Sequence, residues 1–350
     1  MQITLAAVAF LRHKGSYNGG RVAGMTMNRV LTIQLCCFMA TLGGCDTEDE
    51  AGELEMRDWG DWSYCPPRTC GVNSAEVNAR SIRELNLDGV ANSDGMRIVG
   101  FLAPQGILGN YQLGVENDEL VARSGSKVLR GSGLVGATIL VKAPGLLSLP
   151  VPILVLGHDE VEPWAEGADP VDTYALVYPD LSALLGSRNV CNGDLTDLLA
   201  TTASVLGGET YDLATKTVHA DQSRWFTIAC PGSAADKLRM FGYGPQSNFA
   251  GTGHPATPAQ RQATLKMVTA DYCGGGTSYT ENGTYIQWDN AAGTVVMEGE
   301  LGEVEAVWTS SGAVCLGSTR IEDTVVGCNL PSCDGHTLAE GEWITHVPPL

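Results

Sequence analysis

Basic residues are scarce in this sequence, which has 21 lysines and arginines against 40 aspartates and glutamates. The formal net charge is −19 at pH 7, with histidine counted as neutral. A chain this acidic repels the phosphate backbone of nucleic acids and the anionic headgroups of a membrane surface. We therefore exclude nucleic acid as a partner and expect no basic patch for binding to lipid headgroups.

Several motifs of common enzyme classes are missing. The sequence contains no Gly-x-Ser-x-Gly elbow of serine hydrolases, no His-x3-His pair of zinc proteases and no Gly-x4-Gly-Lys phosphate loop. It also has no ligand spacing of the EF-hand type. The sequence alone therefore leads us to assign no catalytic residue, no metal site and no cofactor.

The apolar run of residues 30–42 is too short for a transmembrane helix, which needs roughly 20 apolar residues. A short basic start, Met-Asn-Arg, precedes this run, and the tetrapeptide Leu-Gly-Gly-Cys, which looks like a bacterial lipobox, ends it. This order is typical of an export signal. We predict a lipoprotein signal peptide over residues 27–44, with Met27 as the true start and residues 1–26 as a wrongly assigned, non-structural extension. Cys45 is then the lipid-carrying first residue of the mature protein.

Removing the first 44 residues takes away four basic residues and no acidic one, which leaves 17 against 40 and a net charge of −23. The segment 45–61 is acidic and poor in apolar residues, so we expect a disordered tether. The sequence thus predicts an exported protein that its lipid holds on the extracytoplasmic side. Its anchor would lie at the periplasmic face or at the cell surface.

Eight of the 11 cysteines remain after export and lipid attachment. An even number of cysteines in an exported chain favours disulfide bonds, although the connectivity is not readable from the sequence. Two pairs with four-residue gaps could each close a local loop, and a structural zinc site is the alternative use. The spacing is untypical of zinc sites, so we favour disulfides. The eight candidates are Cys65, Cys70, Cys191, Cys230, Cys273, Cys315, Cys328 and Cys333.

Residues 62–185 have the pattern of a β-rich part. Short apolar runs alternate there with turn residues, which predicts antiparallel strands arranged as a sandwich or a barrel. The predicted strands include Met96–Leu102, Glu119–Arg123, Ala137–Val141, Val151–Leu156 and Thr173–Tyr178.

Residues 186–345 have the pattern of an α+β part. Ser233 is a candidate N-cap for a short helix over residues 234–241, and Thr257 followed by a proline begins a second helix. Three consecutive glycines from position 274 end that helix. Two hairpins are predicted next, pairing 278–280 with 284–288 and 304–308 with 313–316. The whole exported chain is therefore expected to be mainly β with a few short helices.

The second helix ends in the tetrapeptide Ala270, Asp271, Tyr272 and Cys273, from which the sequence is similar to the ADYC domain family of exported bacterial proteins. The similarity covers most of residues 65–345. It implies an exported protein and supplies no activity. Further segments that carry the resemblance are Cys70–Ser74, Glu84–Gly89, Trp225–Cys230, Gln260–Met267, Glu305–Trp308 and Ala313–Leu316.

Cys273 is the strongest candidate nucleophile, with His219 or His254 as its base. The competing interpretation makes Cys273 one half of a disulfide, with a partner among the cysteines of the same C-terminal half. A disulfide-bonded sulfur cannot attack a substrate, and an exported chain with an even number of cysteines favours the bond. We therefore predict a structural Cys273.

Acidic groups offer two weaker candidates for chemistry. Asp159 and Glu160, beside Trp164, could form a glycosidase pair, while His158–Glu160 or Asp289–Asn290 could ligate a hard cation. In so acidic a chain we favour solvated carboxylates in both places. The sequence therefore favours a cell-envelope or surface-interaction module with a protein or glycan partner. The alternative is a secreted-type hydrolase that uses carboxylates at an unrecognised site.

Overall fold

The computed structural model describes residues 74–348, apart from 106–108, 146–147, 181, 192–197, 250 and 298. The segments 1–26, 27–44 and 45–61, with Cys45, lie outside the described residues, as do Cys65 and Cys70. The described residues all belong to one compact unit, 58–350. Their helices are each too short or too polar to cross a membrane.

Within the described residues the chain forms 19 strands and two α-helices, so the expectation of a mainly β fold is confirmed. Two short 3-10 helices complete the regular structure, at Gly131–Leu134 and Leu338–Glu340. The helices are α1 (Ala234–Met240) and α2 (Pro258–Val268). The strands are β1 (Glu76–Val77), β2 (Arg80–Ser81), β3 (Glu84–Asn86), β4 (Arg97–Leu102), β5 (Gln112–Glu116), β6 (Glu119–Ser124), β7 (Lys127–Arg130), β8 (Thr138–Lys142), β9 (Val151–Val161), β10 (Val171–Pro179), β11 (Ser187–Asn189), β12 (Ala203–Gly207), β13 (Thr210–Asp212), β14 (Thr217–His219), β15 (Trp225–Ala229), β16 (Gln287–Asn290), β17 (Glu303–Thr309), β18 (Gly312–Leu316) and β19 (Trp343–Val347).

The largest sheet has eight strands in the order β3-β15-β12-β10-β9-β8-β4, with β11 paired to one end of β10. Every pair in it is antiparallel. Strands β12 and β15 follow residue 185 in the chain and pair with strands that precede it. The expected division between residues 185 and 186 therefore falls inside this sheet.

Smaller sheets surround the large one. Strands β5, β6 and β7 form a three-stranded meander, and a four-stranded sheet has the order β16-β19-β17-β18. Two further sheets are two-stranded, β1-β2 and β13-β14. None of the sheets in the described part of the chain closes into a barrel.

Helix α2 begins as its local sequence predicts. The Thr257 hydroxyl accepts a hydrogen bond from the Gln260 backbone N–H at 3.3 Å, and the Gln260 side chain accepts one from the Thr257 N–H at 2.9 Å. This capping box satisfies two amides that would otherwise lack partners, and Pro258 fits the first helical turn. Ser233 caps α1 in the same manner, accepting from the Asp236 N–H.

One predicted hairpin is confirmed and the other is wrong. Strands β17 and β18 pair as expected around a tight turn. Residues 278–280 form no strand, and β16 pairs instead with β19 from the end of the chain. Strand β19 lies between β16 and β17, and its Trp343 side chain is fully buried there. The burial of this indole favours the pairing of β16 with β19 over a pairing of β16 with residues 278–280.

Two large hydrophobic cores and one small cluster around Val307 and the Cys315–Cys333 bond lie in the described part of the unit. The first lies against the large sheet and includes Ile139, Tyr174 and Phe226, all fully buried. The second joins both helices to the four-stranded sheet around Trp308 and Trp343. Each fully buried large side chain contributes roughly 1.5–3 kcal/mol relative to exposure, so this core is a substantial source of stability.

Three disulfides join the described cysteines, as expected for an exported chain: Cys191–Cys230, Cys273–Cys328 and Cys315–Cys333. Cys328 and Cys333 form one of the two pairs with a four-residue gap, but they are not bonded to each other, so the possible local loop does not form there. Cys333 is bonded to the buried Cys315 of β18. Cys328 is therefore available to bond Cys273, just after the end of α2. Three such bonds indicate an oxidising, extracytoplasmic environment.

Candidate functional site

The Ala-Asp-Tyr-Cys tetrapeptide ends helix α2 and turns the chain sharply. Ala270 has a positive φ of 49° and is completely buried, so the turn adopts a left-handed conformation in spite of its side chain. The amide of Asp271 then donates to the carbonyl of Lys266, which closes the last turn of the helix. Asp271 and Tyr272 are thereby buried, and Cys273 is partly buried.

Asp271 is fully buried and holds this turn together. Its Oδ2 accepts hydrogen bonds from the Lys266 ammonium and from the Gly276 N–H, each at 2.7 Å. The same ammonium donates to the carbonyl oxygens of Thr215 at 2.9 Å and Gly274 at 3.0 Å. All three donors of this lysine are therefore used inside the protein, and the ion pair has a structural role.

Tyr272 is also buried, and its hydroxyl donates to Glu305 at 2.5 Å. Glu305 in turn accepts two hydrogen bonds from the Arg320 guanidinium, at 2.6 and 3.0 Å. Burial raises the pKa of the Tyr272 hydroxyl far above its usual range, and the charge of Glu305 raises it further. The tyrosine therefore stays neutral as a hydrogen-bond donor, and its ring stacks on Trp308.

The sulfur of Cys273 is bonded to Cys328, so the prediction of a structural cysteine is confirmed and its partner is identified. The alternative of a thiol nucleophile with His219 or His254 is wrong, because a disulfide-bonded sulfur has no thiol proton to lose and so cannot form the nucleophilic thiolate. The imidazole Nδ1 of His254 lies 3.1 Å from the carbonyl oxygen of Pro255. The family tetrapeptide is therefore a structural junction.

A polar cleft of about 450 Å³ lies elsewhere on the same unit. Its walls come from the β5–β6 turn, the adjoining ends of β9 and β10, and residues 246–248 and 253–255. Four carboxylates and one guanidinium supply its charge: Glu119, Glu160, Asp169, Asp172 and Arg239.

Asp118 fixes the β5–β6 turn against the rest of the unit. This residue has a positive φ of 59°, is fully buried, and accepts backbone hydrogen bonds from Gly207, Gln246 and Ser247 at 2.9–3.0 Å. The Arg239 guanidinium lies 3.6 Å from it and donates to the Ser247 hydroxyl. Because this carboxylate ties three separated segments together, the floor of the cleft is rigid.

His158, Glu160 and Asp172 meet at one edge of the cleft. One ligand-type atom from each lies within 4.8 Å of the others. In the β9–β10 ladder Asp172 stands opposite Glu160, and Tyr174 stands opposite His158. Directly opposed residues of an antiparallel pair share a face of the sheet, so all four side chains lie on the same side.

A β-bulge makes this arrangement. Ala175 pairs with Gly157 and Leu176 pairs with Val155, so Leu156 is an extra residue in β9. The extra residue exchanges the two faces of the strand beyond it. His158 and Glu160 consequently face the same side as Val155, whereas strict alternation would have placed Asp159 there.

Glu119, at the start of β6, borders this group. The Leu120 N–H donates to the Tyr174 hydroxyl at 3.2 Å, which holds β6 beside β10. Burial raises the pKa of the Glu119 carboxyl, and the negative charge of Asp172 raises it further. Arg130 offsets part of this effect through a hydrogen bond to Glu119 at 3.2 Å.

The other acidic candidates from the sequence have structural roles or face solvent. Asp159 is exposed, on the opposite face of β9 from its two neighbours. Trp164 packs against Phe241 and Trp288, as part of the second core and not as a platform for a sugar. Asp289 accepts from the Met297 N–H at 2.7 Å, so it is bonded to its own loop.

Sequence reasoning missed Asp172, Glu119 and Arg239 as members of one cleft. The signal available was the alternation His158-x-Glu160 in one strand and Asp172-x-Tyr174 in the next. That alternation becomes informative once the register of the two strands is known.

A model of the ADYC domain matches residues 131–322, more than half of the chain. The match contains the tetrapeptide, most of the cleft residues, including Glu160, Asp172 and Arg239, and the neighbouring His158. Comparisons with curated proteins and with solved structures produced no significant match. The expectation from the sequence is confirmed, and the chain belongs to the ADYC domain family.

Proposed function

We propose that the protein is an extracytoplasmic binding module that a lipid on Cys45 holds at the cell envelope, and that the polar cleft is its ligand-binding surface. The observation that carries the proposal is the cleft itself, with its anchored floor and converging carboxylates. The family tetrapeptide supports the same conclusion, because its polar side chains and its cysteine are bonded to other residues inside the protein and do not form a competing site. A rigid, preformed polar site is what a binding module requires.

Charge favours one kind of ligand. Glu119, Glu160, Asp169 and Asp172 face the cleft, while the single guanidinium of Arg239 is balanced by Asp118. Such a surface attracts basic groups and strengthens binding at low ionic strength. We therefore favour a partner that carries lysine, arginine or amine groups, ahead of a neutral glycan.

Photo-crosslinking in living cells tests the binding surface. A photoreactive amino acid replaces Asp169, which is exposed at the cleft and pairs with no described residue. The same reagent at Val325, which is 88% exposed and lies outside the cleft, is the matched control. We expect a discrete adduct from position 169 that weakens as salt is added. No adduct there, or the same adduct from position 325, would overturn the proposal.

The lipid anchor is tested separately. Each buried CH₂ of an acyl chain contributes about 0.8 kcal/mol, so two or three chains hold a protein stably in a membrane. We expect Cys45→Ser to abolish incorporation of labelled palmitate and to release the protein or leave an unprocessed precursor. Equal labelling of Cys45→Ser and the parent protein would show that the site is wrong.

A hydrolase that uses the same carboxylates is the second candidate. Its specific support is Glu119, because burial and the neighbouring Asp172 raise the pKa of its carboxyl, as a general acid requires. Release of reducing ends or new amines from envelope polymers, lost in Glu119→Gln, would favour it. Turnover that persists in Glu119→Gln and in Asp172→Asn would exclude this site.

A further inference from the structure

We propose that His158, Glu160 and Asp172 bind one divalent transition-metal ion at the edge of the cleft. The inference deepens the proposed binding function, on whose cleft it rests, by naming a cation that would take part in ligand capture. It is carried by the mutual placement of three side chains that each offer a metal-binding atom.

The ligand set is held by paired strands and not by loops. Asp172 and Glu160 are direct partners in the antiparallel ladder, and His158 lies two residues before Glu160 on the same face. Neighbouring strands lie about 4.8 Å apart, so opposed side chains can reach one ion without any backbone movement. Sites built on strands keep their geometry better than sites built on loops.

The imidazole of His158 is already oriented toward a shared ion. Its Nε2 lies 2.5 Å from Asp172 Oδ1, and its ring packs against Tyr174 with the centroids 5.5 Å apart. A metal bonded to both atoms at about 2.0–2.2 Å would replace the proton between them and separate them to roughly 3 Å. The side chain of Asp172 is 16% exposed, which leaves it room for this small rotation.

Gly131 leaves the space that the histidine needs. Its φ is +50°, and a Cβ built at this position would lie 3.1 Å from Cε1 and 3.2 Å from Nε2 of His158. It would also lie 3.6 Å from Asp172 Oδ1. A glycine at the start of the 3-10 helix therefore keeps the backbone close while leaving the ring nitrogen accessible.

Glu160 supplies the ligand that is not yet engaged. Within the described part of the chain its carboxylate accepts no hydrogen bond, whereas Asp172 is bonded to His158 and Glu119 to Arg130. It also lines the cleft. A cation between the strands would join this carboxylate to the histidine–aspartate pair and offset the negative charge gathered there.

One imidazole with two carboxylates selects a class of ion. Ca²⁺ takes six to eight oxygen ligands, so a three-ligand set with a nitrogen suits it poorly. Imidazole and carboxylate together suit Zn²⁺ and its first-row neighbours, and three protein ligands leave a fourth position open. Because Glu160 and Asp172 line the cleft, a donor group of a partner bound there could occupy the fourth position.

The test is calorimetric titration of Zn²⁺ into the purified full-length protein after treatment with a chelator. We expect one ion per chain. Glu160→Gln and Asp172→Asn should each weaken zinc affinity at least about tenfold, because replacing even a residue that only hydrogen-bonds to a metal ligand weakens affinity about 10–100-fold. Asp159→Asn is the matched control, because it removes the same charge from the adjacent residue on the opposite face. Circular dichroism of each variant checks that it folds.

A second readout reports the nitrogen ligand. Co²⁺ in place of Zn²⁺ should give visible absorption bands of a four-coordinate ion in the parent protein and in Asp159→Asn, and these should be lost in folded His158→Gln. Zinc affinity that is the same in Glu160→Gln and Asp159→Asn would overturn the site, as would binding of less than one ion per chain. The titration contains no partner, so its outcome is independent of the crosslinking result.

Discussion

Replacing Asp271 by asparagine removes the charge from a buried ion pair and leaves the side chain almost the same size. Asp271 is fully buried and the side chain of Lys266 is 4% exposed, so solvent screens the pair very little. In Asp271→Asn the ammonium keeps two carbonyl acceptors but loses its counter-charge. Breaking one partner of such a pair costs roughly 3–5 kcal/mol, a large share of the roughly 5–15 kcal/mol that stabilises a folded domain.

The assay is thermal and urea unfolding followed by tryptophan fluorescence, with the disulfides intact. A loss of roughly 3–5 kcal/mol should lower the Tm by roughly 6–20 °C, at about 2–4 °C per kcal/mol for a unit of this size class. The control is Asp323→Asn, because Asp323 is an exposed turn residue with a φ of 60° that asparagine tolerates.

A double-mutant cycle separates the pair from its surroundings. Lys266→Met leaves the Asp271 carboxylate with the Gly276 N–H and no counter-charge, and the double variant removes both charges. We expect the double variant to be more stable than the sum of the single losses implies, with a coupling of about 1–3 kcal/mol. If Asp271→Asn matches Asp323→Asn in stability, the structural account of the family tetrapeptide is refuted.

Three further perturbations test other parts of the unit. Removing the Cys273–Cys328 bond, which spans 55 residues, should cost about 4 kcal/mol by loop entropy, and alkylation with peptide mapping of the native parent protein should leave Cys273 unmodified. Burial lowers the pKa of Lys237 to about 8 from 10.5, so the folded state binds fewer protons there and stability should rise from about pH 8 to pH 10.5. Lys237→Met should therefore stabilise by roughly 1–2 kcal/mol below pH 8, after allowance for partial exposure, and by less above it; a gain independent of pH contradicts this. Gly244→Ala should destabilise by roughly 1–3 kcal/mol, since its Cβ would collide with Asp118 and Ser247, and an unchanged urea midpoint would refute the rigid floor of the cleft.

Local signals predicted those parts of the fold whose partners are close in the chain. The capping box at Thr257 lies within four residues, and β17 pairs with β18 across a tight turn. Alternating apolar runs also marked β8, β9 and β10, because a strand between two packed layers needs apolar side chains whatever its partner is. Asn282 and Gly283, between the two segments of the hairpin that did not form, do lie in a turn, but a turn alone does not create a ladder when a better partner strand is available.

The sequence predicted that the cysteines are oxidised, whereas the fold decided how they pair. An even number in an exported sequence predicted oxidation, and six of the eight are paired in the described residues. Which cysteine meets which depended on the packing of α2 against the four-stranded sheet. That packing brings Cys273 to Cys328 across 55 residues, while Cys328 and Cys333, with four residues between them, take different partners.

By itself the sequence determined the charge, the mainly β character, the caps of the helices and the family tetrapeptide, because these depend on composition or on neighbours along the chain. The cleft was decided by tertiary structure alone. Its cluster exists because Leu156 forms a bulge against β10, and one extra residue exchanges the faces of a strand. Without the register of that pairing, nothing in the sequence distinguishes Glu160, which faces the cleft, from Asp159, which faces away.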